Sequence, residues 1–381
     1  MERIYFDNAA TTPLDKEVLD AMLPYMTEHF GNPSAVHGFG RKTRSGVEQA
    51  RRKVAELLNC APGDIVFTSG GTEADNMALN GSVRDLGIRD IITSPTEHHA
   101  VEHTAQLLCD GETVRLHWLR LKPDGQPDLA HLEEILKRTP NALVSLMHAN
   151  NEIGTRIDLM KVGRLCRQYG ALFHSDTVQT MGHYRFDLQE VPVDFITCAA
   201  HKFHGPKGIG FLYIRDTIRL KPMILGGSQE RNMRAGTENV YGIVGLAKAM
   251  EVAYRDLDDH VHHVSGLKQR MKKRLVEEIP GVSFNGDSSD EALYTVLSVN
   301  FPDDGKSEML LYNLDIEGIA CSGGSACSSG SNKVSHVMAA LYPDQTGANI
   351  RFSFSKYSTP AEVDRVVDVL KRVFALVEAK A

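Results

Sequence analysis

No apolar run in the chain approaches the ~18 residues of a membrane-spanning helix, so no membrane association is expected. The opening, Met1-Glu2-Arg3-Ile4-Tyr5-Phe6-Asp7, lacks the apolar stretch of a secretory signal. An excess of positive charge is missing too. The net charge is -7, which gives no support to nucleic-acid binding by charge. The six cysteines are scattered, without the spacing of a disulfide framework, and read as free thiols of a reducing compartment. Internal repeats and low-complexity tracts are absent. Together these absences predict a cytoplasmic protein.

What is present is the composition of a soluble globular protein, 42% hydrophobic and 24% charged. At 381 residues the chain is too long for one ordinary core, and two domains are expected. Short apolar segments predict strands at 4–6, 65–68, 90–93, 113–119, 143–147, 172–173, 195–198 and 211–214. Amphipathic segments predict helices from residue 16 and over 40–58, 130–137, 159–169 and 242–256. In the first of these, Val18, Leu19, Met22 and Leu23 should share one buried face. The alternation argues for an α/β fold with a mainly parallel, doubly wound sheet over residues 14–256. A helix over 261–278, strands near 282, 295–300 and 350–355 and a final helix over 360–378 suggest a smaller α+β domain. That domain takes residues 257–381 together with 1–13.

Ligands of doubly wound sheets sit outside the carboxyl ends of the strands, so the residues just after strands carry the chemistry. The stretch Ala199-Ala200-His201-Lys202-Phe203-His204-Gly205-Pro206-Lys207-Gly208-Ile209-Gly210 is one such place. Its glycines let backbone approach a ligand, and a lysine near other positive groups becomes nucleophilic, as Schiff-base lysines are. Ser69-Gly70-Gly71-Thr72-Glu73 follows a strand and opens a helix, which suits a phosphate, although it also reads as an ordinary helix start. Asp176 should be buried at a strand end and need a cationic partner such as a protonated pyridine nitrogen. His98 is placed to lie on an aromatic ring, and Asn151 and Gln179 are short donors for a phenolic oxygen. Separately these residues also read as a capping Asp, a core His and turn-forming amides. Jointly with Lys202 they make the protein side of a pyridoxal phosphate site.

The segments Tyr5-Phe6-Asp7-Asn8-Ala9-Ala10-Thr11-Thr12-Pro13, Thr68 to Asn76, Thr96-Glu97-His98, Asn150-Asn151-Glu152-Ile153-Gly154, Asp176 to Gln179 and His201-Lys202 carry a family resemblance. In order and spacing, over essentially the whole chain, they resemble the cysteine desulfurases. These form part of the class V aminotransferase branch of fold-type I pyridoxal phosphate enzymes. The resemblance implies that Lys202 carries the cofactor as a Schiff base, that His98 stacks on its ring and that Asp176 pairs with its nitrogen. Gln179 and Asn151 would steer the ring oxygen and the substrate, while Gly71, Thr72 and His201 hold the phosphate. Thr237, in Met233-Arg234-Ala235-Gly236-Thr237, resembles the threonine that reaches the neighbouring subunit's phosphate, implying a homodimer with shared sites. Asn8, Asn151 and Arg351 are assigned to the substrate, the arginine to its carboxylate.

Cys327 lies in Cys321-Ser322-Gly323-Gly324-Ser325-Ala326-Cys327-Ser328-Ser329-Gly330-Ser331, small residues suited to a mobile loop. The Ser-Ala-Cys run resembles the persulfide-forming loop of the desulfurases, which makes Cys327 the nucleophile and leaves Cys321 a buried thiol. The implied reaction converts L-cysteine to L-alanine: Lys202 moves the Cα proton, His98 serves the substrate thiol and the Cys327 thiolate takes the sulfur. The sulfur would pass to an acceptor protein, for iron–sulfur cluster assembly or tRNA thiolation. A selenocysteine lyase or other β-lyase, an aminotransferase and an inactive sulfur-transfer scaffold are the alternatives. The chain departs from the family at Ala199, where a hydroxyl residue is usual, and at Gly323, where serine is common. The remaining histidines, His99, His204, His260, His262 and His263, are expected on the surface, with spacings that match no usual metal-ligand set.

Overall fold

The computed structural model describes residues 3–111, 113–303, 309–323 and 335–378. The chain opens with β1 (Ile4–Tyr5), α1 (Lys16–Thr27) and α2 (Gly38–Leu58). Strands and helices then alternate: β2 (Ile65–Thr68), α3 (Gly71–Asp85), β3 (Asp90–Thr93), α4 (His99–Cys109), β4 (Arg115–Trp118), α5 (Leu129–Leu136), β5 (Ala142–Ser145), α6 (Leu159–Gln168) and β6 (Leu172–Asp176). β7 (Phe195–Ala199), β8 (Gly210–Ile214) and α7 (Val240–Arg255) complete this part. After it come α8 (Leu257–Glu278), β9 (Ser283–Phe284), β10 (Val296–Phe301), α9 (Leu310–Ile316) and β11 (Ile319–Ala320). β12 (Ser322–Gly323), α10 (His336–Leu341), β13 (Ala348–Ser353) and α11 (Pro360–Glu378) end the chain.

Seven strands form the main sheet in the order β2-β8-β7-β6-β5-β3-β4. β8 runs antiparallel to both its neighbours, and the other pairings are parallel. Every residue of β2, β3, β5, β7 and β8 is buried, because helices cover both faces of the sheet. β5 shows the pleat directly. Ala142 and Val144 join the core shared with α1, α2, α6 and α7, while Leu143 joins the core under α3 and α4. In α1 only Val18 and Met22 are buried, whereas Leu19 and Leu23 are 40% and 43% exposed. The helix packs on α7 through a narrower stripe than its four apolar residues suggest, and positions 19 and 23 fall to one side of it.

A second, antiparallel sheet has the order β12-β13-β10-β9. Its core joins Val299 and Phe301 to Val264, Leu267 and Met271 of α8 and to Val363, Val366 and Leu370 of α11. The N-terminal segment belongs to this core. β1 pairs in parallel with β11, Ile4 and Phe6 are buried there, and the Ser353 amide donates to the Phe6 carbonyl at 2.8 Å. Residues 7–13 then pass along the end of the main sheet, which places them beside the ends of β6 and β7.

Candidate active site

The carboxyl ends of β5, β6 and β7, the turn before α3 and the segment after β1 enclose a cavity of about 360 Å³. Lys202, His98, Asp176, Gln179, Asn151, Arg351, Gly71, Thr72 and His201 all line it. Lys202 follows β7 in a short 3-10 turn, and its Nζ donates to the carbonyls of Ala9 and Ala10 at 2.6 and 2.8 Å. Gln179 Nε2 donates to the same Ala9 carbonyl at 3.0 Å. The flanks are fixed by the opening segment as well: Thr12 Oγ1 donates to the His201 carbonyl and accepts from the His204 amide.

Asp176 ends β6, and its Oδ1 accepts from the Val178 amide at 2.8 Å. Burial, then the nearby charge of Asp75, pushes its carboxyl up to about 7. Asp75 of α3 is raised to about 7 by burial as well. Its Oδ1 lies 3.4 Å from His174 Nε2 but has no hydrogen-bond partner among the described residues. Glu97, fully buried, accepts from the Met147 amide at 2.9 and 3.1 Å, and burial raises it as well. His98 caps α4, its Nδ1 accepting from the Ala100 amide at 3.1 Å. Burial, assisted by the Lys202 charge, lowers it to about 4, so its ring is neutral at pH 7. His201 is lowered to about 4 by the same two causes.

At the other side of the cavity Arg351 donates from Nη1 to the Asn151 carbonyl at 2.9 Å and from Nη2 to Asp7 Oδ1 at 2.8 Å. Ser322 Oγ donates to the same Asp7 oxygen at 2.7 Å. Arg351 Nε is buried without a partner among the described residues. The turn before α3 has no side-chain cap, and Gly70 at φ 154° takes a conformation that side chains disfavour. A Cβ on Gly71 would meet Val178 Cγ2 at 2.8 Å. The first amides of α3 therefore face the cavity end uncapped, as an anion site requires.

A pyridoxal phosphate fits these groups on chemical grounds. Asp75 Oδ1 is orphaned, Asp176 has no cation of its own that outweighs its burial, the helix start is uncapped and a lysine amine points inward. Three assigned residues stand apart. Asn8 is buried but does not line the cavity; its Nδ2 donates to the carbonyls of Tyr5 and Ser353 at 3.2 and 2.9 Å. Thr237 lies in a separate recess with Ser69, Gly208 and Arg234. That recess is held by the buried pair of Arg51 with Glu230, at 2.7 and 2.8 Å, and by Arg234 Nε on Glu73 Oε1 at 2.8 Å. Cys327 lies outside the described residues. Cys321 is half-buried, and burial raises its thiol to about 12.

The surface placement of the extra histidines is corrected in part. His204 is 5% exposed, with Nδ1 on the Pro13 carbonyl at 2.9 Å. His260 and His263 are half-buried against the Tyr294 hydroxyl and the Ser358 carbonyl, at 3.2 and 2.8 Å. His262 is exposed and His99 half-exposed. The rings of His204, His260 and His263 each have one nitrogen paired, while Nε2 of His204 and of His260 is buried without a partner among the described residues. Asp75, Asp7 and Glu97 were not singled out in the sequence. The one available signal was Asp75, a carboxylate beside Ala74, Met77, Ala78 and Leu79 on the apolar side of α3.

A mixed α/β sheet with a lysine and a buried carboxylate at its strand ends defines the architecture of the fold-type I pyridoxal phosphate enzymes. The chain belongs to the class-V aminotransferase family, whose pattern it matches over residues 4–366. It is 41% identical over 374 residues to a protein named cysteine desulfurase IscS from Dictyoglomus turgidum, covering 97% of this chain and 94% of that one. It is also 41% identical over 384 residues to the putative cysteine desulfurase IscS 1 of Bacillus subtilis, covering 98% of this chain and 100% of the relative. Among solved structures, a NifS-like protein superposes with a TM-score of 0.90 at 35% identity, covering 98% of this chain and 100% of that one.

Proposed function

We propose that this chain is a cysteine desulfurase that converts L-cysteine to L-alanine and keeps the sulfur as a persulfide on Cys327. The observation that carries the reading is the meeting of Lys202, His98, Asp176 and Gln179 in one cavity with Arg351 on its opposite wall. Pyridoxal phosphate, held by these residues, supplies an electrophilic carbon for amines and an electron sink for the substrate Cα. Asp176 pairs with a protonated ring nitrogen, the cation that its buried carboxyl otherwise lacks. The uncapped start of α3 at Gly71 and Thr72, with His201, holds the phosphate. Asn151 and Gln179 orient the ring oxygen. Arg351 takes the substrate carboxylate through a two-pronged ion pair.

Lys202 Nζ would hold the cofactor between turnovers and, with substrate bound, remove the Cα proton. His98, neutral at pH 7, exchanges a proton with the substrate thiol. The Cys327 thiolate attacks that sulfur: a sulfur–sulfur bond forms, the carbon–sulfur bond breaks with its electron pair going to carbon, and a proton delivered to Cβ with the return of the Lys202 proton to Cα completes alanine. We further propose the division into 14–256 and 1–13 with 257–381, and a homodimer in which Thr237 serves the partner subunit's phosphate. Iron–sulfur assembly is the favoured destination of the sulfur, in keeping with the IscS names of the relatives, and tRNA thiolation is a second route. Among the described residues no helix is long and apolar enough to cross a membrane.

The test is product release from L-cysteine with a thiol reductant, for wild type and Cys327→Ala. Equal alanine and sulfide from wild type, with a yellow but nearly inactive variant, is the expected result. A variant that kept its rate would exclude Cys327 as the sulfur acceptor and establish a β-lyase. A yellow wild type without products would establish the scaffold reading instead.

A further inference from the structure

Outside the cavity, α4 carries His99-Ala100-Val101-Glu102-His103. Residues at i, i+3 and i+4 share one helix face, so both histidines and the glutamate project together. Helical zinc sites of His-x-x-Glu-His type ligate through both histidines, whereas here His103 stacks on His99, so the spacing alone supplies no ligand set. The third dimension adds another imidazole: His336, the first residue of α10, lies against the same face. Its ring centroid is 4.3 Å from that of His99.

The donor atoms converge on one carboxylate oxygen. His99 Nδ1 is 3.0 Å and His336 Nε2 is 3.7 Å from Glu102 Oε2. The three ligand atoms lie within 4.8 Å of one another. In a tetrahedral zinc site with bonds of ~2.0–2.1 Å, neighbouring ligand atoms stand ~3.3 Å apart, which these two separations straddle. The surroundings orient the ligands. Gln106 Nε2 donates to the other Glu102 oxygen at 3.3 Å, and His103 stacks on His99 at 4.6 Å with 21° between the rings. The ligands are neither sealed nor fully solvated, at 41%, 16% and 23% side-chain exposure for His99, Glu102 and His336, so an ion can enter from water. His336 Nε2 also bonds the Glu97 carbonyl at 2.8 Å, a contact that ligation would replace after a turn of the ring.

We propose that His99, Glu102 and His336 form a three-ligand site for a divalent cation of borderline softness such as zinc, with the fourth position left to water. Two imidazoles and one carboxylate select zinc, cobalt or nickel over magnesium and calcium, which take oxygen ligands. The site is separate from the cofactor cavity and touches it only where His98 precedes His99. An ion there would tie α4 to α10, two segments far apart in the chain.

The experiment uses untagged holoenzyme, freed of metal with a chelator and equilibrated by dialysis against graded zinc, with bound metal counted by atomic emission. Wild type should saturate at one zinc per chain. Glu102→Gln and His336→Gln should each lose at least about tenfold in affinity, since even outer-shell partners are worth that much. Cys327→Ser should bind as wild type does. Zinc should also raise the melting temperature of wild type and not that of Glu102→Gln. These half-exposed substitutions keep the yellow colour if the fold is intact, and His99→Gln replaces whichever of them fails to fold. Absence of saturable binding in wild type, or unchanged binding in both ligand variants, would overturn the proposal. So would a loss seen only in Cys327→Ser, which would place the ion on the thiol.

Discussion

Asp176 and Asp15 are equally covered, each 6% exposed, yet they ionise at opposite extremes. Burial pushes Asp176 up to about 7. At Asp15, which lies nearer the surface, burial also pulls upward but loses to hydrogen bonds from Lys356 and Tyr357, and the carboxyl falls to about 2. The chain supplies Asp15 with its own cation and a phenol, and supplies Asp176 with one backbone amide and charges too far to compensate. A buried acid left without a partner is costly unless something else brings the positive charge. The same contrast separates the two walls of the cavity. Asp75 and Asp176, on the wall of the main sheet, and Glu97 buried behind it are all held toward the neutral form. On the other side Arg351 lines the cavity and Asp7 behind it accepts from both Arg351 and Ser322, which leaves Arg351 Nε as the group without a partner among the described residues. On the proposed reading the first wall would seat a resident ligand and the second one that comes and goes.

Five substitutions in four tests probe these contrasts, and the largest effect belongs to the first. Lys202→Ala should reduce alanine formation to background and remove the yellow absorbance, because among the described residues no other lysine lines the cavity. Arg351→Ala should leave the colour intact and raise the KM for cysteine roughly ten- to a hundredfold, the worth of charge-assisted hydrogen bonds. Steady-state kinetics at fixed cofactor checks it; a loss of colour would move Arg351 to the cofactor wall.

The third test reads pH. The folded pKa of Asp176 lies above its unfolded one, so its contribution to apoprotein stability is complete below about pH 4 and lost as pH rises through about 7. Asp176→Asn should therefore melt progressively higher than wild-type apoprotein between these limits, while holding the cofactor less well. Asp15 has the reverse sign: its contribution is present above about pH 4 and lost as pH falls through about 2. Asp15→Asn should lower the melting temperature at neutral pH, with the difference vanishing in acid. Parallel curves for the two variants would dissolve the comparison. The smallest effect is expected for Ala199→Ser, which restores a hydroxyl beside the phosphate end of the cavity. It should slow cofactor loss by about tenfold, the low end of what one hydrogen bond to a charged group contributes. It should also slightly destabilise the apoprotein, where the hydroxyl is buried.

The parts of this arrangement that depend on local chain were visible in the sequence. β3, β5, β6 and β7 announce themselves as apolar runs, and the residues behind them are the ones that line the cavity. What was hidden depends on contacts distant in the chain. Nothing near β8 signals that it runs against its neighbours, and β11, two residues long, exists only because β1 pairs with it. Asp7 is part of the opening motif, but its bond to Arg351 spans most of the chain. The pattern of α1 overstated its buried face because Leu19 and Leu23 lie beyond the contact with α7. His336 comes beside His99 only through the docking of α10, so spacing along the chain could not show the grouping.

The most direct test of the central claim, that the sheet-side wall is a cofactor seat built on Lys202, is reduction of the purified yellow protein with borohydride followed by peptide mass mapping. A pyridoxyl-phosphate mass on the peptide containing Lys202, and absent from Lys202→Ala, is the predicted result. The adduct on a different lysine, or no adduct from a yellow protein, would contradict the account.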